Sequence, residues 1–512
     1  MTDHIPPATE ATTLKASTVS LPGVLMQAIT HIAPAVGLIF TVQVISAVAG
    51  IASPFALAFA GLAMATVAVS VIQLSKKISS AGGYFTWVSS ILGPRSGFFV
   101  AWIFLMFEPI GAGINIAFLG GILQSTFQSE YGFDLPWWVV AAAGVLLLTV
   151  VSYLGLKLSI RFVVLMGAFE IAVCVALAVT GLLHAGHGGV SLAPFNPARA
   201  VSFNGLFLGV VFSIFAFAGF EEVAPLAEES HEPARTLPRA VTLSLVITGL
   251  FFLFTSWGVI IGWGTDNLPS FLANGSPVLT LAHRLWGGAW ILILIALINS
   301  AVGVGIAVQN AATRVIFGMA RAGALPAPLA KVHPGRRTPV NAVWAQSAIT
   351  AVVALGGGLA FGPVGVLSFA AIIITLLIII VYSAGNLASW RLYSRQYPRE
   401  YSKITHLAVP ILSTAILLYI GYKTLSPLPT GVDRWAPVVA VGWFVAGLIV
   451  VAVLSRTGRL SWMTRVGGAV AAAGELPGLQ PPGTGGGQVS QTSGAQPLPD
   501  PVKGRPDPGT LE

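Results

Sequence analysis

Three glutamates lie inside long apolar segments of the chain: Glu108, Glu170 and Glu221. A charged group at the depth of a bilayer is expensive and usually has a function. A buried carboxyl group can hold a proton at neutral pH, and ion coupling follows if its proton affinity changes during a transport cycle. We therefore expect Glu221 and Glu170 to act in proton or ion coupling, and Glu108 to belong to the binding site, where it could hold a proton or instead pair with a cationic cargo. The alternative for each is a structural hydrogen bond to a neighbouring helix.

His31 is a fourth candidate for coupling, because a histidine titrates near neutral pH. It directly precedes a break in the first apolar run, at residues 32–37 (IAPAVG) within residues 22–46. A histidine bonded to a backbone carbonyl is the alternative. A second break lies at residues 216–220 (AFAGF), within residues 202–227. A helix that breaks inside a bilayer must line a cavity enclosed by protein, and paired breaks in two halves indicate the binding site of a secondary transporter.

The first break should bind an anionic group. A helix that restarts there presents free N–H groups and a partial positive charge, so Ala35, Val36 and Gly37 are the predicted cradle for a cargo carboxylate. Gly37 has no Cβ and lets a ligand approach the backbone. Close packing of two helices is the other explanation for this glycine.

The upstream ends of the broken helices expose carbonyl groups that could accept hydrogen bonds from a cargo ammonium group. A ring at position 215 could also stack on an apolar or cationic cargo, or it could be a core aromatic. These positions, with the glycine of the second break, complete the predicted binding site: Ile32, Ala33, Phe215, Ala216, Phe217 and Gly219.

The composition is that of an all-α membrane protein with many spans. Only 9% of the 512 residues are charged and 55% are hydrophobic, with a mean hydropathy of +0.84. Soluble proteins carry more charge than this. The lipid bilayer is therefore one expected partner. The net charge of +8 is attributed to basic cytoplasmic loops, and no nucleic acid partner is expected. The single cysteine, Cys174, is expected to be a small buried hydrophobe.

Apolar segments long enough to cross a bilayer predict twelve spans. They are residues 22–46, 53–75, 97–124, 137–156, 162–183, 202–227, 240–262, 286–319, 340–359, 364–388, 407–425 and 436–454. With the N-terminus inside, 21 lysines and arginines fall in cytoplasmic segments and four in external ones. This asymmetry predicts a multi-pass protein of the plasma (inner) membrane with both termini in the cytoplasm.

Two groups of five spans, one starting inside and the other outside, predict inverted repeats. The expected organisation begins with a cytoplasmic segment, residues 1–21, and a first repeat, residues 22–183. An extracellular loop, residues 184–201, leads to a second repeat, residues 202–388. Two extra helices, residues 407–455, and a disordered cytoplasmic tail, residues 474–512, complete the chain.

Three motif regions give the chain a resemblance to a known family. They are residues 80–86 (SAGGYFT) with Gly93, Pro94, Gly97, Phe98 and Trp102; residues 215–221 (FAFAGFE), 226–229 (LAEE), 232–235 (EPAR) and 237–239 (LPR); and residues 313–314 (TR), 318–321 (GMAR), 323, 325–326 (LP) and 337–339 (RTP). They resemble the signature of the amino acid–polyamine–organocation permeases. The resemblance implies a LeuT-like fold with helices 1 and 6 discontinuous, alternating access to a central site, and an amino acid or amine as cargo. It also implies that Phe215 covers the cargo.

Two positions depart from the family pattern. The first break is usually rich in glycine, whereas here it contains Pro34, which still removes a helix hydrogen bond. Several relatives have a lysine in the fifth span that substitutes for a sodium ion, whereas this chain has Glu170, which leaves sodium coupling open.

The sequence therefore predicts a secondary active transporter of amino acids or related amines, driven by protons or by exchange. A sodium-coupled symporter is the alternative. A membrane enzyme and a channel are the competing classes, but no catalytic motif or phosphate-binding loop is present. No cofactor and no metal are expected, and the coupling ion is H⁺ or Na⁺. The sequence does not indicate an oligomeric state.

Overall fold

The computed structural model describes residues 19–78, 83–155, 160–321, 325–333, 338–426, 428–429 and 431–456. Most of the predicted N-terminal segment, the whole predicted tail and parts of the motif regions, including residues 80–82 and 322–324, lie outside these ranges.

The described residues form an all-helical protein without a β-strand, apart from one isolated backbone bridge between Val19 and Ser230. The first half of the chain contains α1 (Leu21–Ile32), α2 (Pro34–Ala49), α3 (Ser53–Lys77), α4 (Gly83–Leu92), α5 (Pro94–Tyr131), α6 (Trp137–Leu154) and α7 (Ile160–Leu183). The second half contains α8 (Phe203–Phe217), α9 (Pro233–Trp263), α10 (Leu268–Ala273), α11 (Pro277–Trp286), α12 (Ile291–Arg321), α13 (Val340–Ala351), α14 (Gly358–Phe361), α15 (Gly365–Arg395), α16 (Val409–Leu425) and α17 (Trp435–Arg456).

Eleven helical stretches in the described part of the chain are long and apolar enough to cross a membrane. The stretch Leu21–Lys77 has 57 residues and contains the first two predicted spans. A straight helix of that length would measure about 85 Å at 1.5 Å per residue, whereas a hydrocarbon core is about 30 Å thick. The all-helical membrane class is thus confirmed, and the number of crossings depends on how this first stretch is divided.

The chain interrupts its first helix at Ala33, which lies between α1 and α2 with a positive φ of 53°. Pro34 explains the interruption, because proline has no N–H group and its ring clashes with the carbonyl of the preceding turn. It also disfavours helical geometry at the residue before it. A non-glycine residue in the left-handed region costs roughly 1–2 kcal/mol, so the surrounding packing must hold Ala33 in place.

A second interruption follows α8. Ala218 is extended, with φ −61° and ψ 137°, and Gly219 has a φ of 115°, a region that residues with a Cβ rarely adopt. The chain then continues as a 3₁₀ helix over Phe220–Glu229. Helix α1 packs against this 3₁₀ segment and against α7, α9 and α12, so the two interruptions are neighbours.

The helices differ in how deeply they are buried. In an apolar segment of 18 residues, α15 has 78% of its residues buried inside the protein, whereas the corresponding segments of α6 and α17 have 22%. Helix α5 packs against both α12 and α15. The interrupted helices therefore share the centre of the protein with α5, α12 and α15, while α6 and α17 present most of their apolar surface outward.

Candidate functional site

A cavity of about 90 Å³ lies between the two interruptions. Its walls come from α1, α2, α5, α8, α12 and α15 and from the 3₁₀ segment after α8. The cavity brings together ten of the thirteen predicted site residues: His31, Ile32, Ala33, Val36, Gly37, Glu108, Phe215, Ala216, Gly219 and Glu221. The other three, Ala35, Phe217 and Glu170, are buried nearby but are not among the lining residues.

The backbone amides at the start of α2 bind groups of the chain itself. The Ala35 N–H donates to Glu170 Oε1 at 2.7 Å, and the Val36 N–H donates to Ser300 Oγ at 3.3 Å. The Gly37 N–H donates to the Ala33 carbonyl at 2.7 Å. All three amides expected to hold a cargo carboxylate thus have a partner within the protein, and the carboxyl group bound there belongs to Glu170.

Glu170 projects from α7 and is 4% exposed. Its Oε1 accepts the hydrogen bond from the Ala35 N–H, and its Oε2 accepts one from Asn299 Nδ2 at 3.1 Å. The Ser300 side chain also hydrogen-bonds to the Glu170 carboxyl group. A buried carboxyl group is tolerated when its oxygens have partners. Glu170 therefore joins α7 and α12 to the N-terminus of α2.

Glu221 has a comparable position at the second interruption. Its Oε2 accepts a hydrogen bond from the Gly219 N–H at 3.0 Å, and its Oε1 accepts one from Tyr382 Oη at 2.6 Å. Tyr382 belongs to α15 and is 1% exposed. This carboxyl group connects the backbone of the interruption to α15, and both its oxygens have partners.

A cluster of three side chains lies on the cavity wall: His31, Glu108 and Glu222. One potential ligand atom from each lies within 4.8 Å of the others. Glu108 Oε1 and His31 Nδ1 are buried and have no hydrogen-bond partner among the described residues. Within the described part of the chain, these three residues could hold a cation, either a metal ion or a charged organic group.

Glycines let the elements around the cavity approach closely. A Cβ built on Gly219 would lie 2.6 Å from His31 Cδ2, so the histidine ring rests on this glycine. A Cβ on Gly37 would lie 2.7 Å from Phe252 Cζ on α9. Gly37 therefore borders the cavity and also accommodates a neighbouring helix, so both explanations of this glycine apply to its position.

The two aromatic candidates of α8 lie in different environments. Phe215 lines the cavity, which suits a ring that covers a cargo molecule. Phe217 is fully buried and packs edge-to-face on Phe252 with ring centroids 5.6 Å apart. Phe217 is thus part of the core between α8 and α9.

The structure adds Glu222 and Phe107 to the lining. Glu222 follows Glu221 directly, and two consecutive glutamates behind an apolar break were the available signal. Phe107 precedes Glu108 in an apolar helix and gave no signal. Among the described residues that line the cavity there are three glutamates, one histidine and no lysine or arginine.

Comparison with known proteins gives a consistent result. A family model described as amino acid permease matches residues 23–462. The chain is 28% identical to the branched-chain amino acid permease BcaP of Bacillus subtilis over 57% of the chain and 65% of that protein. It is 24% identical to the low-affinity putrescine importer PlaP of Escherichia coli over 90% of the chain and 98% of that protein. It is also 24% identical to the human cystine/glutamate transporter over 57% of the chain and 58% of that protein.

Proposed function

The chain belongs to the amino acid permease family, and we propose that it is a secondary active transporter that moves an amino acid or a related amine by alternating access. The cavity between the two helix interruptions is the observation that carries the proposal. Unwound backbone is tolerated at membrane depth where it lines a cavity, and cargo sites of secondary transporters are formed by such discontinuous helices.

We further propose the full architecture of twelve spans, of which ten form two inverted five-helix repeats and two are extra helices. The first repeat comprises α1–α7 and the second comprises α8–α15. The stretch Leu21–Lys77 then crosses twice, and its 57 residues are long enough for two crossings. The distribution of lysine and arginine supports cytoplasmic termini, and we propose the plasma (inner) membrane as the location.

We propose that Glu221 couples transport to protons or takes part in exchange. His31 of α1 is a further candidate, because its ring contacts Gly219 at the second interruption. The contacts of Glu221 support this role, because it binds the backbone that would rearrange when access alternates. Glu170 is the second candidate and would serve a sodium-coupled mechanism, since its oxygens lie at the start of α2. No resident metal or cofactor is proposed, and the coupling ion is H⁺ or Na⁺.

The printed names of the relatives cover different cargoes: branched-chain amino acids, putrescine, and cystine with glutamate. They agree on small molecules with an amino group, and this agreement supports the proposed cargo class. The same agreement favours a transporter over an enzyme. A saturable, coupled flux would distinguish a transporter from a channel.

Uptake by the purified protein in proteoliposomes tests the proposal. Radiolabelled amino acids and amines are supplied with and without an inward proton gradient, with choline replacing sodium, and with unlabelled cargo inside for exchange. We expect saturable uptake of at least one of these compounds. Uptake that requires sodium would favour the sodium-coupled alternative, and no transport of any compound across a broad panel would contradict the proposal.

A further inference from the structure

We propose that the cargo is an organic cation without a carboxylate, namely a small primary amine or diamine rather than an α-amino acid. This inference rests on the proposed transport function and specifies its substrate class. Two separate features of the structure carry it: the occupied N-terminus of α2 and the three-residue cluster His31–Glu108–Glu222.

The first feature removes the place where a cargo carboxylate would dock. The Ala35 and Val36 amides donate to Glu170 and Ser300, and Glu170 does not line the cavity. A cargo carboxylate would have to displace the Glu170 carboxyl group, which would then be buried without this bond. Leaving a buried polar group unsatisfied is unfavourable. Glu170 thus occupies the position at the start of α2 that the carboxylate of an amino acid would otherwise take.

The second feature is a cluster of acceptors, two of which are buried without a hydrogen-bond partner among the described residues. Glu108 is 4% exposed, it faces the cavity, and its Oε1 has no hydrogen-bond partner in the described part of the chain. Glu222 and a ring nitrogen of His31 lie within 4.8 Å of it. A neutral imidazole offers one acceptor nitrogen, so the cluster presents three acceptors to the cavity.

A primary ammonium group matches this arrangement. It has three donors and no acceptor, and acceptors at about 2.8 Å along its three N–H directions lie about 4.6 Å apart. Ligand atoms that all lie within 4.8 Å of one another are therefore close enough together to surround one ammonium group. No described lysine or arginine lines the cavity, so the positive charge would come from the cargo.

The remaining wall restricts the body of the cargo. Phe107, Phe215, Val304 and Val308 give it aromatic and aliphatic surface. Aromatic faces attract cations and also pack against alkyl groups. A cavity of about 90 Å³ admits a small molecule, so an alkyl amine or a short diamine fits better than a large zwitterion.

Matched pairs of compounds that differ only in one carboxylate test the inference. The pairs are 1,4-diaminobutane with ornithine, 1,5-diaminopentane with lysine, and isopentylamine with leucine. Binding to the purified protein and uptake in proteoliposomes are measured for both members of each pair. We expect at least one amine to bind about tenfold or more tightly than its amino acid. Equal or tighter binding of the amino acids, with transport intact, would overturn the inference and leave the proposed function standing. Absence of binding and transport for every compound would contradict both.

Two substitutions test the two features separately. Glu108→Gln should weaken amine binding about tenfold or more, because it removes a charged acceptor. The matched control Glu400→Gln changes an exposed acid that pairs with Lys77 and should have no effect. Unchanged amine binding in Glu108→Gln would overturn the assignment of the cluster.

Glu170→Ala should free the Ala35 amide and give the protein measurable affinity for the amino acid of the pair. Glu170→Gln keeps an oxygen that can accept the Ala35 N–H, so this variant should not gain affinity for the amino acid. The elution profile in size-exclusion chromatography identifies variants that do not fold. If a variant does not fold, the amine and amino acid pairs measured on the unsubstituted protein still decide the inference. Addition of a chelator is the last arm: loss of amine binding on chelation would mean that the cluster holds a metal ion, and would overturn the inference.

Discussion

Tyr382 on α15 donates a hydrogen bond to Glu221 at 2.6 Å, across the point where the chain resumes after α8. The same carboxyl group accepts the Gly219 N–H. One buried side chain therefore connects the second interruption to a central helix. In the proposed mechanism, α15 and the interruption can separate only after this hydrogen bond breaks.

Replacing Tyr382 by phenylalanine removes the donor and leaves Glu221 Oε1 buried without it. We expect a loss of about 1–3 kcal/mol in stability, the usual cost of an unsatisfied buried group, and a slower transport rate. Thermal unfolding in detergent and the initial rate of uptake measure the two effects. The control Tyr401→Phe changes a tyrosine at the end of the loop after α15. Equal stability of Tyr382→Phe and the unchanged protein would contradict the importance of this bond.

Glu221→Gln tests the coupling role. The amide keeps the size and one acceptor oxygen but cannot exchange a proton. We expect accumulation driven by a pH gradient to disappear while exchange of labelled for unlabelled cargo continues. Both are measured in the same proteoliposomes. If Glu221→Gln still accumulates cargo in response to the gradient, the coupling proton is carried by another group.

Pro34→Ala tests whether the first interruption is needed. Alanine restores the N–H group and is the best helix former, whereas proline in a helix interior costs about 3 kcal/mol. We expect the stretch through Ala33 to become more helical, with the unfolding temperature unchanged or raised and transport reduced about tenfold or more. Pro54→Ala is the matched control, because Pro54 lies in the first turn of α3, where proline is tolerated. Full transport by Pro34→Ala would show that the interruption is dispensable.

Gly37→Ala separates the packing role of this glycine from close approach of the cargo. The added methyl group would lie 2.7 Å from Phe252 Cζ, so we expect a loss of about 1–3 kcal/mol in stability from overpacking. The double variant Gly37→Ala with Phe252→Leu should recover that stability. If transport also recovers, Gly37 acts through packing alone. If stability recovers and transport does not, the methyl group obstructs the cargo.

Local rules predicted the first interruption. Proline within an apolar run removes a helix hydrogen bond and favours a break, and the chain breaks at Ala33, directly before Pro34, although α5 continues through Pro109. The apolar runs also predicted most helices, although α5 extends over Pro94–Tyr131, beyond the predicted residues 97–124, and α9 begins at Pro233, seven residues before the predicted span. Polar residues at helix ends explain these differences, since a helix can extend past its apolar segment. The resemblance of the motif regions to a permease family is confirmed by the match over residues 23–462.

Long-range partners could not be predicted in the same way. Glu170 and Ala35 are 135 residues apart in the chain, and Glu221 and Tyr382 are 161 apart. The sequence marked each acid as costly to bury, but only the packing of α7 against α1 and α2 and of α15 beside the second interruption determines which donor satisfies it. For the same reason the start of α2 could be recognised as an anion site, while the identity of the anion could not.

The proposed transport mechanism requires that cargo binds between the two helix interruptions. An experimental structure of the protein in lipid nanodiscs with saturating transported cargo tests it most directly. We expect cargo density within the cavity, in contact with Glu108 and Phe215, with the chain interrupted at Ala33 and Gly219. Continuous helices through both positions, or cargo density at another place with this cavity closed, would contradict it.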